Sequence, residues 1–466
     1  MTRALERVIA TVGITALLCG AAVSDAEVTP RVEKRTLQSG MRVVLLENNE
    51  LPLLQIRLLA EAGSIFDPDE RSGVAAVTVK ALLAGAGERN AVQLQRHIDS
   101  LGATVWTEIS RERSQINGVF HSRDALSALR LIYDLVAAPQ LTDAELENYI
   151  RRQKSAVFQL YDLGRPIMDD AAYELFFPGL PWGRLPYGEP DELSDITPGD
   201  VRAFQQKYYS PERLKLVIAG DFDSRRLMTD VATVFMAQSR GERESPPAPV
   251  APEPSERLRI VLLDEPGSPS AWVGFYALGA PFSSAHQQAA QRMLGHLLGG
   301  EPELSYIGRK LIEERSLISR LESATPFQKL WGLLQLEMSC PRENVVDVIA
   351  ETLDELRLMS ETRISKRELE DGKRFFRGYY ALGFETAGSG ATRLAEALAG
   401  GEAHNYHDSL LQAINTLTPD DLMKVAADLF ANDRLAVVVY GDADRFERSL
   451  NEFGLVLRKR TGERGE

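Results

Sequence analysis

Met41-Arg42-Val43-Val44-Leu45-Leu46-Glu47 is written a second time, with conservative changes, as Leu258-Arg259-Ile260-Val261-Leu262-Leu263-Asp264. The match runs without a gap to Pro52 against Pro269, and each copy then continues into a second apolar stretch. Short runs rich in Val, Ile and Leu and bounded by turn residues predict buried strands. The ends of the copies match as well. Ile196-Thr197-Pro198-Gly199-Asp200-Val201 parallels Leu417-Thr418-Pro419-Asp420-Asp421-Leu422. In each, Thr is a natural helix N-cap and Pro occupies the first helical position. Both helices lead into similar strands, Arg213–Asp221 and Arg434–Asp442. Agreement at both ends, in the same order, predicts an internal duplication.

Between the copies, Glu242-Arg243-Glu244-Ser245-Pro246-Pro247-Ala248-Pro249 and the Pro-rich continuation to Pro254 cannot pack a core. They read as a semi-rigid linker. The expected division is therefore a leader over 1–26, a first domain over 27–237, a linker over 238–256 and a second domain over 257–466. Helices are predicted over Ala91–Leu101, Ser122–Ala137, Asp143–Tyr161 and Val345–Met359. Strands clustered among helices without regular alternation predict an α+β fold: two homologous domains, each a mostly antiparallel sheet with helices packed on one face.

The 466 residues suffice for two cores of about 200 residues each. A formal charge of −14 argues against a nucleic-acid partner, because phosphate binding needs a basic face. Arg3 and Arg7 precede an apolar run from Val8 to Val23, and Ser24-Asp25-Ala26 places small residues where a signal peptidase reads. This predicts a secretory signal cleaved after Ala26 and a periplasmic protein without a transmembrane span. A lipoprotein site at Cys19 is disfavoured by Leu18 before it. Only Cys340 then remains, so no internal disulfide can form, and it reads as a small buried hydrophobe beside Met338.

Several chemistries find no footing. There is no G-x-S-x-G elbow, P-loop or dinucleotide fingerprint. Gly388-Ser389-Gly390 reads as a loop, and the acidic pairs Glu313-Glu314 and Asp169-Asp170 read as solvated helix faces. The six histidines are His97, His121, His286, His296, His404 and His407, and none stands in a zinc-helix frame. His404 and His407, with Asp408, read as a polar loop after Gly400-Gly401, and His97 and His296 as surface or core-edge residues of amphipathic helices.

The duplicated halves, the Thr-Pro-x-Asp helices leading to strands that end Gly-Asp, and the linker resemble the pitrilysin/insulinase (M16) zinc peptidases. So does the order Gly85-Ala86-Gly87, Ile98-Asp99-Ser100-Leu101-Gly102-Ala103 and Pro139-Gln140-Leu141. The likeness is to short bacterial and mitochondrial-processing members. It implies two similar domains forming half a clamshell, with a second subunit supplying the other half. Active members carry His-x-x-Glu-His on a helix, where two histidines four residues apart reach one zinc ion and the glutamate acts as general base. A downstream glutamate is the third ligand. Here the frame gives Ala76 and Lys80 for the histidines, Val79 for the base and Val157 for the downstream ligand. Ala and Val have no lone pair to donate, and an ammonium repels a divalent cation. The resemblance thus names zinc as the family cofactor, while the residues predict no cofactor and no catalytic set in this chain.

Where active relatives read Asn-Ala-x-Thr on the strand beside the zinc, this chain reads Trp106-Thr107-Glu108-Ile109. An Arg–Tyr pair that some partner subunits contribute is represented by Ile312 and Ser319. Gly299-Gly300 stand where a glycine-rich substrate loop occurs in non-catalytic mitochondrial relatives, although the segment is short and a plain turn is the favoured reading. Trp106, Thr107, Gly299 and Gly300 are the candidate peptide- or partner-binding residues. The expected function is a non-catalytic subunit that pairs with a zinc-bearing homologue, or with itself, around unfolded peptides. A half-clamshell is expected to expose an apolar inner surface that such pairing would bury. The competing expectations are a zinc peptidase with displaced ligands and a purely structural subunit.

Overall fold

The two repeated phrases become strands at equivalent places in two separate sheets of the computed structural model. It describes residues 30–163, 165–237, 255–279, 284–326, 329, 331–362, 364–401 and 406–460. The expected signal segment with Cys19, the linker as far as residue 254, and His404 lie outside the described residues.

The first half opens with β1 (Glu33–Thr36), β2 (Arg42–Glu47) and β3 (Leu53–Ala60). Helix α1 (Val74–Ala81), the small hairpin β4 (Gly85–Ala86) and β5 (Arg89–Asn90), and α2 (Ala91–Ser100) follow. Next come β6 (Thr104–Ile109), β7 (Ser114–His121), α3 (Ala125–Ala137), α4 (Asp143–Leu163) and α5 (Met168–Phe176). Then α6 (Pro198–Tyr208), β8 (Leu214–Gly220) and α7 (Ser224–Val234) complete it.

The second half repeats the plan with β9 (Leu258–Asp264), β10 (Ser270–Gly279) and α8 (Ala285–Gly299). A single turn, α9 (Tyr306–Gly308), runs on into a π-helical stretch Arg309–Glu314, before β11 (Arg320–Ala324) and β12 (Gly332–Pro341). Helices α10 (Val345–Glu361), α11 (Lys366–Leu382), α12 (Ala387–Ala399), α13 (Tyr406–Thr416) and α14 (Pro419–Leu429) follow. The half closes with β13 (Leu435–Gly441), α15 (Glu447–Leu450) and β14 (Gly454–Arg460).

The sheets run β1-β2-β8-β3-β7-β6 and β14-β9-β13-β10-β12-β11. Strands β2 and β8 pair in parallel, as do β13 and β9, and the flanking pairs β8–β3–β7–β6 and β13–β10–β12–β11 are antiparallel. The outer edges differ: β1 lies antiparallel to β2, whereas the C-terminal β14 lies parallel to β9. The helices α6 and α14 begin as expected. Thr197 and Thr418 each accept the N–H three residues on, while Asp200 and Asp421 accept the threonine N–H at 2.9 Å. Such reciprocal capping stabilises a helix start by about 1 kcal/mol.

One face of each sheet packs on its own helices. Leu54, Ile56, Leu58, Leu216 and Ile218 do so in the first half, and Ile260, Leu262, Val273, Phe275 and Val437 in the second. The other face is covered by a helix from the opposite half, an exchange that no local pattern announces. Helix α5 brings Met168, Ala172, Tyr173 and Phe176 against Val261, Leu263, Tyr276 and Val438. Helix α12 brings Ala391, Leu394, Ala395 and Leu398 against Val44, Leu46, Leu59 and Val217.

Three expectations are corrected by this exchange. Gly388-Ser389-Gly390 is no loop: it is the first turn of α12, capped by Thr386, whose Oγ1 accepts the Ser389 N–H at 3.1 Å. Asp169 and Asp170 are not a solvated face, because α5 presses them into the junction between the halves, where Asp170 is 12% exposed. The apolar inner surface expected of a half-clamshell is also not what the sheets present. The two exchanged helices cover much of the apolar part, and Gln55, Arg57, Gln115 and Asn117 make the first sheet polar beside them.

Candidate functional site

Helix α1 is only eight residues long, and its position is fixed from its N-terminus. Gly73 caps it at φ +97°, and a Cβ there would meet Leu193 at 2.6 Å and the Gly188 Cα at 2.9 Å. Gly188, at φ +86°, faces Gly73 just as closely, so the two glycines let the 187–193 segment lie directly on the helix start. Asp67 accepts the N–H groups of Gly73 and Ala75, both at 2.7 Å, and Glu192 accepts that of Ser72 at 2.8 Å. Acidic groups are favoured at this positive end of the helix. Burial nevertheless pushes the Asp67 carboxyl up to about 7, against the two N–H bonds and Arg184, which act downward.

Helix α4 packs beside α1 and carries the rest of the frame. Ala76, Val79 and Val157 are buried aliphatic residues, 0%, 1% and 0% exposed. Lys80, half-buried at the last turn of α1, donates from Nζ to the Gln153 Oε1 at 2.6 Å. Gln153 is itself buried, and its Nε2 donates to the Tyr187 carbonyl at 2.6 Å. Tyr161, farther along α4, donates to Glu189 at 2.9 Å. A chain of hydrogen bonds therefore joins α1, α4 and the 187–189 segment where a zinc site would join α1 and α4. Two aliphatic side chains, an ammonium and a third aliphatic residue offer no lone pair at these positions. They do not fit zinc. Burial lowers the pKa of Lys80 from its ordinary value.

Sequence reasoning passed over Gln153. The signal was available: it stands four residues before Val157, on the same face of α4, one turn nearer the start. Tyr187 carried no such signal, because its contribution is a backbone carbonyl.

The strand next to α1 is β6, at the edge of the first sheet and, among the described residues, paired only with β7. Alternation along it puts Val105, Thr107 and Ile109 on the α1 side and Trp106 and Glu108 on the opposite side. The Trp106 indole donates to Glu108 at 2.9 Å, and the Arg57 guanidinium lies 5.1 Å from the ring centre. The structure thus places Trp106 and Thr107 on opposite faces of a strand with one free edge. Gly299 and Gly300 belong to the second half. Gly299 ends α8, where a Cβ would meet the Leu336 side chain at 2.7 Å, and the Gly300 N–H closes the helix on the His296 carbonyl at 2.9 Å. Ile312 is packed on the second core, and Ser319 donates its N–H to the Ser339 carbonyl at 2.9 Å.

Beyond β6, the turn to β7 supplies Arg111, 4% exposed. Its Nε donates to the Trp182 carbonyl at 2.8 Å, its Nη2 meets Asp170 at 2.5 Å, and its guanidinium lies 3.7 Å over the Tyr173 ring. Burial pushes the Asp170 carboxyl up to about 7, with Asp169 raising it further and Arg111 opposing. Arg165 bridges from here to the second half, meeting Glu337 at 3.1 Å as well as Glu322.

The histidines lie elsewhere. His407 does not belong to a polar loop: it is 1% exposed on α13, its Nε2 donates to the Arg393 carbonyl at 2.9 Å, and burial pushes it down to about 4. His296 stacks on Phe375 at 4.0 Å, and His97 is partly covered on α2. Among the described residues, no three His, Cys, Asp or Glu side chains come together as a metal-binding group. Cys340 is buried in β12, which pushes its thiol up to about 12.

Comparison with known sequences matches residues 42–172 to the family described as "Insulinase (Peptidase family M16)" and residues 195–376 to "Peptidase M16 inactive domain". An uncharacterized zinc protease of Streptomyces coelicolor is 23% identical over 411 residues, covering 85% of this chain and 87% of its own. The mitochondrial-processing peptidase subunit beta of Lentinula edodes is 22% identical over 449 residues, covering 92% of both chains. Among solved structures, a protease from Helicobacter pylori shares the fold with a TM-score of 0.79 at 18% identity, covering 88% of this chain and 99% of that one.

Proposed function

The chain belongs to the insulinase-type peptidase family M16, and from that membership we propose that it is a non-catalytic, periplasmic member that pairs with a zinc-bearing homologue around unfolded peptides. One observation carries this reading. The two helices that would share a metal are joined by a Lys80–Gln153 hydrogen bond, with Ala76, Val79 and Val157 at the other positions of the frame. Neither a metal-bound water nor a general base can be assembled from those side chains.

Three further points support the fuller reading. The relatives include a named subunit of a processing peptidase, which favours work as one half of an assembly. The outer edge of β6, unpaired with any strand among the described residues, offers backbone groups that an extended peptide can match. The Arg3, Arg7, Val8–Val23 and Ala26 pattern supports export and cleavage.

The test is co-expression with a zinc-bearing homologue from the same cell, followed by size separation, elemental analysis and a peptide-cleavage assay. The expected result is co-elution, zinc only in the homologue, and changed cleavage when both are present. Stoichiometric zinc in this chain, lost with activity on chelation, would show a peptidase with displaced ligands. Co-elution within a large assembly, without peptide binding, would show a structural subunit. If the chain elutes alone as a dimer of itself, the partner is a second copy. Mass spectrometry of the exported chain should find Glu27 at its N-terminus.

A further inference from the structure

We infer that the Lys80 ammonium is a recognition site for a peptide carboxylate, at the C-terminus of an extended chain or on an Asp or Glu side chain. The inference rests on the peptide-binding reading above and assigns the bound peptide its recognised chemistry.

The observation is a cation without an anion. Lys80 donates one N–H to Gln153, a neutral amide whose own nitrogen is spent on the Tyr187 carbonyl. The orientation of Gln153 is therefore fixed, and it holds the ammonium in place without neutralising it. Two more deeply buried lysines behave differently. Lys215 meets Glu61 at 2.9 Å, and Lys373 meets Glu370 at 3.0 Å. Among the described residues, no carboxylate forms an ion pair with Lys80, whose one hydrogen-bond partner there is the neutral Gln153 amide. In a chain of formal charge −14, which repels anions in general, this is a local exception.

The surroundings narrow the ligand. A single ammonium suits a singly charged carboxylate better than a phosphate, whose recognition gathers several donors. Helix α1 packs against β6, whose outer edge pairs with no strand among the described residues. A peptide added along that edge runs beside the helix that carries Lys80. Backbone pairing then gives sequence-independent affinity, and the ammonium selects where a carboxylate falls. Lys80 has N–H groups to spare, since an ammonium has more than the one it gives Gln153.

The experiment uses the mature chain and a short fluorescent peptide lacking Asp and Glu, made with a free C-terminal carboxylate, as its C-terminal amide, and as the amide with one internal Glu. Fluorescence anisotropy at neutral pH should show the free acid binding roughly tenfold more tightly than the amide, which is about 1.4 kcal/mol. Recovery of the preference by the internal Glu would assign the site to side-chain carboxylates as well, and its absence would restrict it to chain ends. Lys80→Met should abolish the difference while the melting curve stays cooperative, and Lys80→Arg should keep it. Lys80→Gln serves in place of Lys80→Met if the latter fails to fold. Equal binding of acid and amide to the wild type, or a preference that survives Lys80→Met, overturns the inference and leaves the peptide-binding reading standing. If none of the three peptides binds, both fall together.

Discussion

Helices α5 and α12 follow the long helices α4 and α11 in their respective halves, and each crosses to cover the sheet of the other half. They hold on by different means. Helix α5 and the turns that follow it deliver aromatic bulk, with Tyr173, Phe176, Phe177 and Trp182 all buried, and α5 seats Asp170 against the buried Arg111. Helix α12 delivers small residues. Gly390 lies so near the first sheet that a Cβ would come within 2.6 Å of the Leu46 Cδ2, and Ala391 and Ala395 continue the close contact. Its C-terminal end is pinned by Lys215, which donates to the Leu398 carbonyl at 2.9 Å. One arm is thus held by large side chains around a buried ion pair, the other by close approach of backbone. A duplicated fold keeps the geometry of such a contact while its chemistry diverges, because burial constrains apolar area and shape rather than residue identity.

The sharpest way to break the comparison is to cut the ion pair. Arg111→Ala leaves Asp170 buried without its partner, and the loss expected is about 3–5 kcal/mol, read from the urea midpoint. Adding Asp170→Asn should recover part of it. The corresponding cut at the other arm, Lys215→Met, should cost less, since Met keeps the apolar stem of the lysine whereas Arg111→Ala also removes the guanidinium's packing on Tyr173. Equal losses would erase the distinction between the arms.

The packing side of the contrast is tested by Gly390→Val. Three added carbon atoms must displace Leu46 from the α12 contact, which should cost about 1–3 kcal/mol. A neutral result would mean that α12 rides loosely on the sheet.

Titration separates the arms by pH. Burial raises the Asp170 pKa from an ordinary 3.8 to about 7, so the folded chain holds a proton there that the unfolded chain has lost. The stability contributed by that proton is present below pH 3.8 and declines as pH rises towards 7. Asp67, also pushed up to about 7, adds to the same decline. Lys215 is depressed to about 8, so its contribution runs the other way and only in alkali, rising with pH from 8 to 10.5. His407, pushed down from 6.5 to about 4, acts the other way and offsets part of the decline. The two raised carboxyls outweigh it, so urea midpoints measured between pH 4 and 7 should still fall with pH, and Asp170→Asn should flatten the slope.

The smallest effect expected lies outside both contacts. A Cβ added at Gly378, on an exposed face of α11, would meet nothing within 4 Å. Gly378→Ala should therefore raise stability by about 0.5–1 kcal/mol. A thermal melt compared with that of Gly390→Val distinguishes a glycine required by contact from one that only weakens a helix.

Much of this protein was fixed by sequence alone, wherever the information is local. The repeated phrases at Met41 and Leu258 specify central strands because runs of branched residues pack on both faces of a sheet. Thr197 and Thr418 specify helix starts because capping is settled within four residues. Ala76, Val79, Lys80 and Val157 were legible as a frame without donors because helical spacing alone decides which side chains share a face. What only the tertiary structure decided is what each face meets. Gly388–Gly390 carry a helix, Asp169 and Asp170 lie in the junction, and His407 is buried under its own half. In each case the residue's environment comes from chain segments far away in sequence. The same holds for Lys80: its type was plain, but its hold on the neutral Gln153 arises where α1, α4 and the 187–189 segment converge. Charge and burial are properties of that convergence, and no window of sequence contains it.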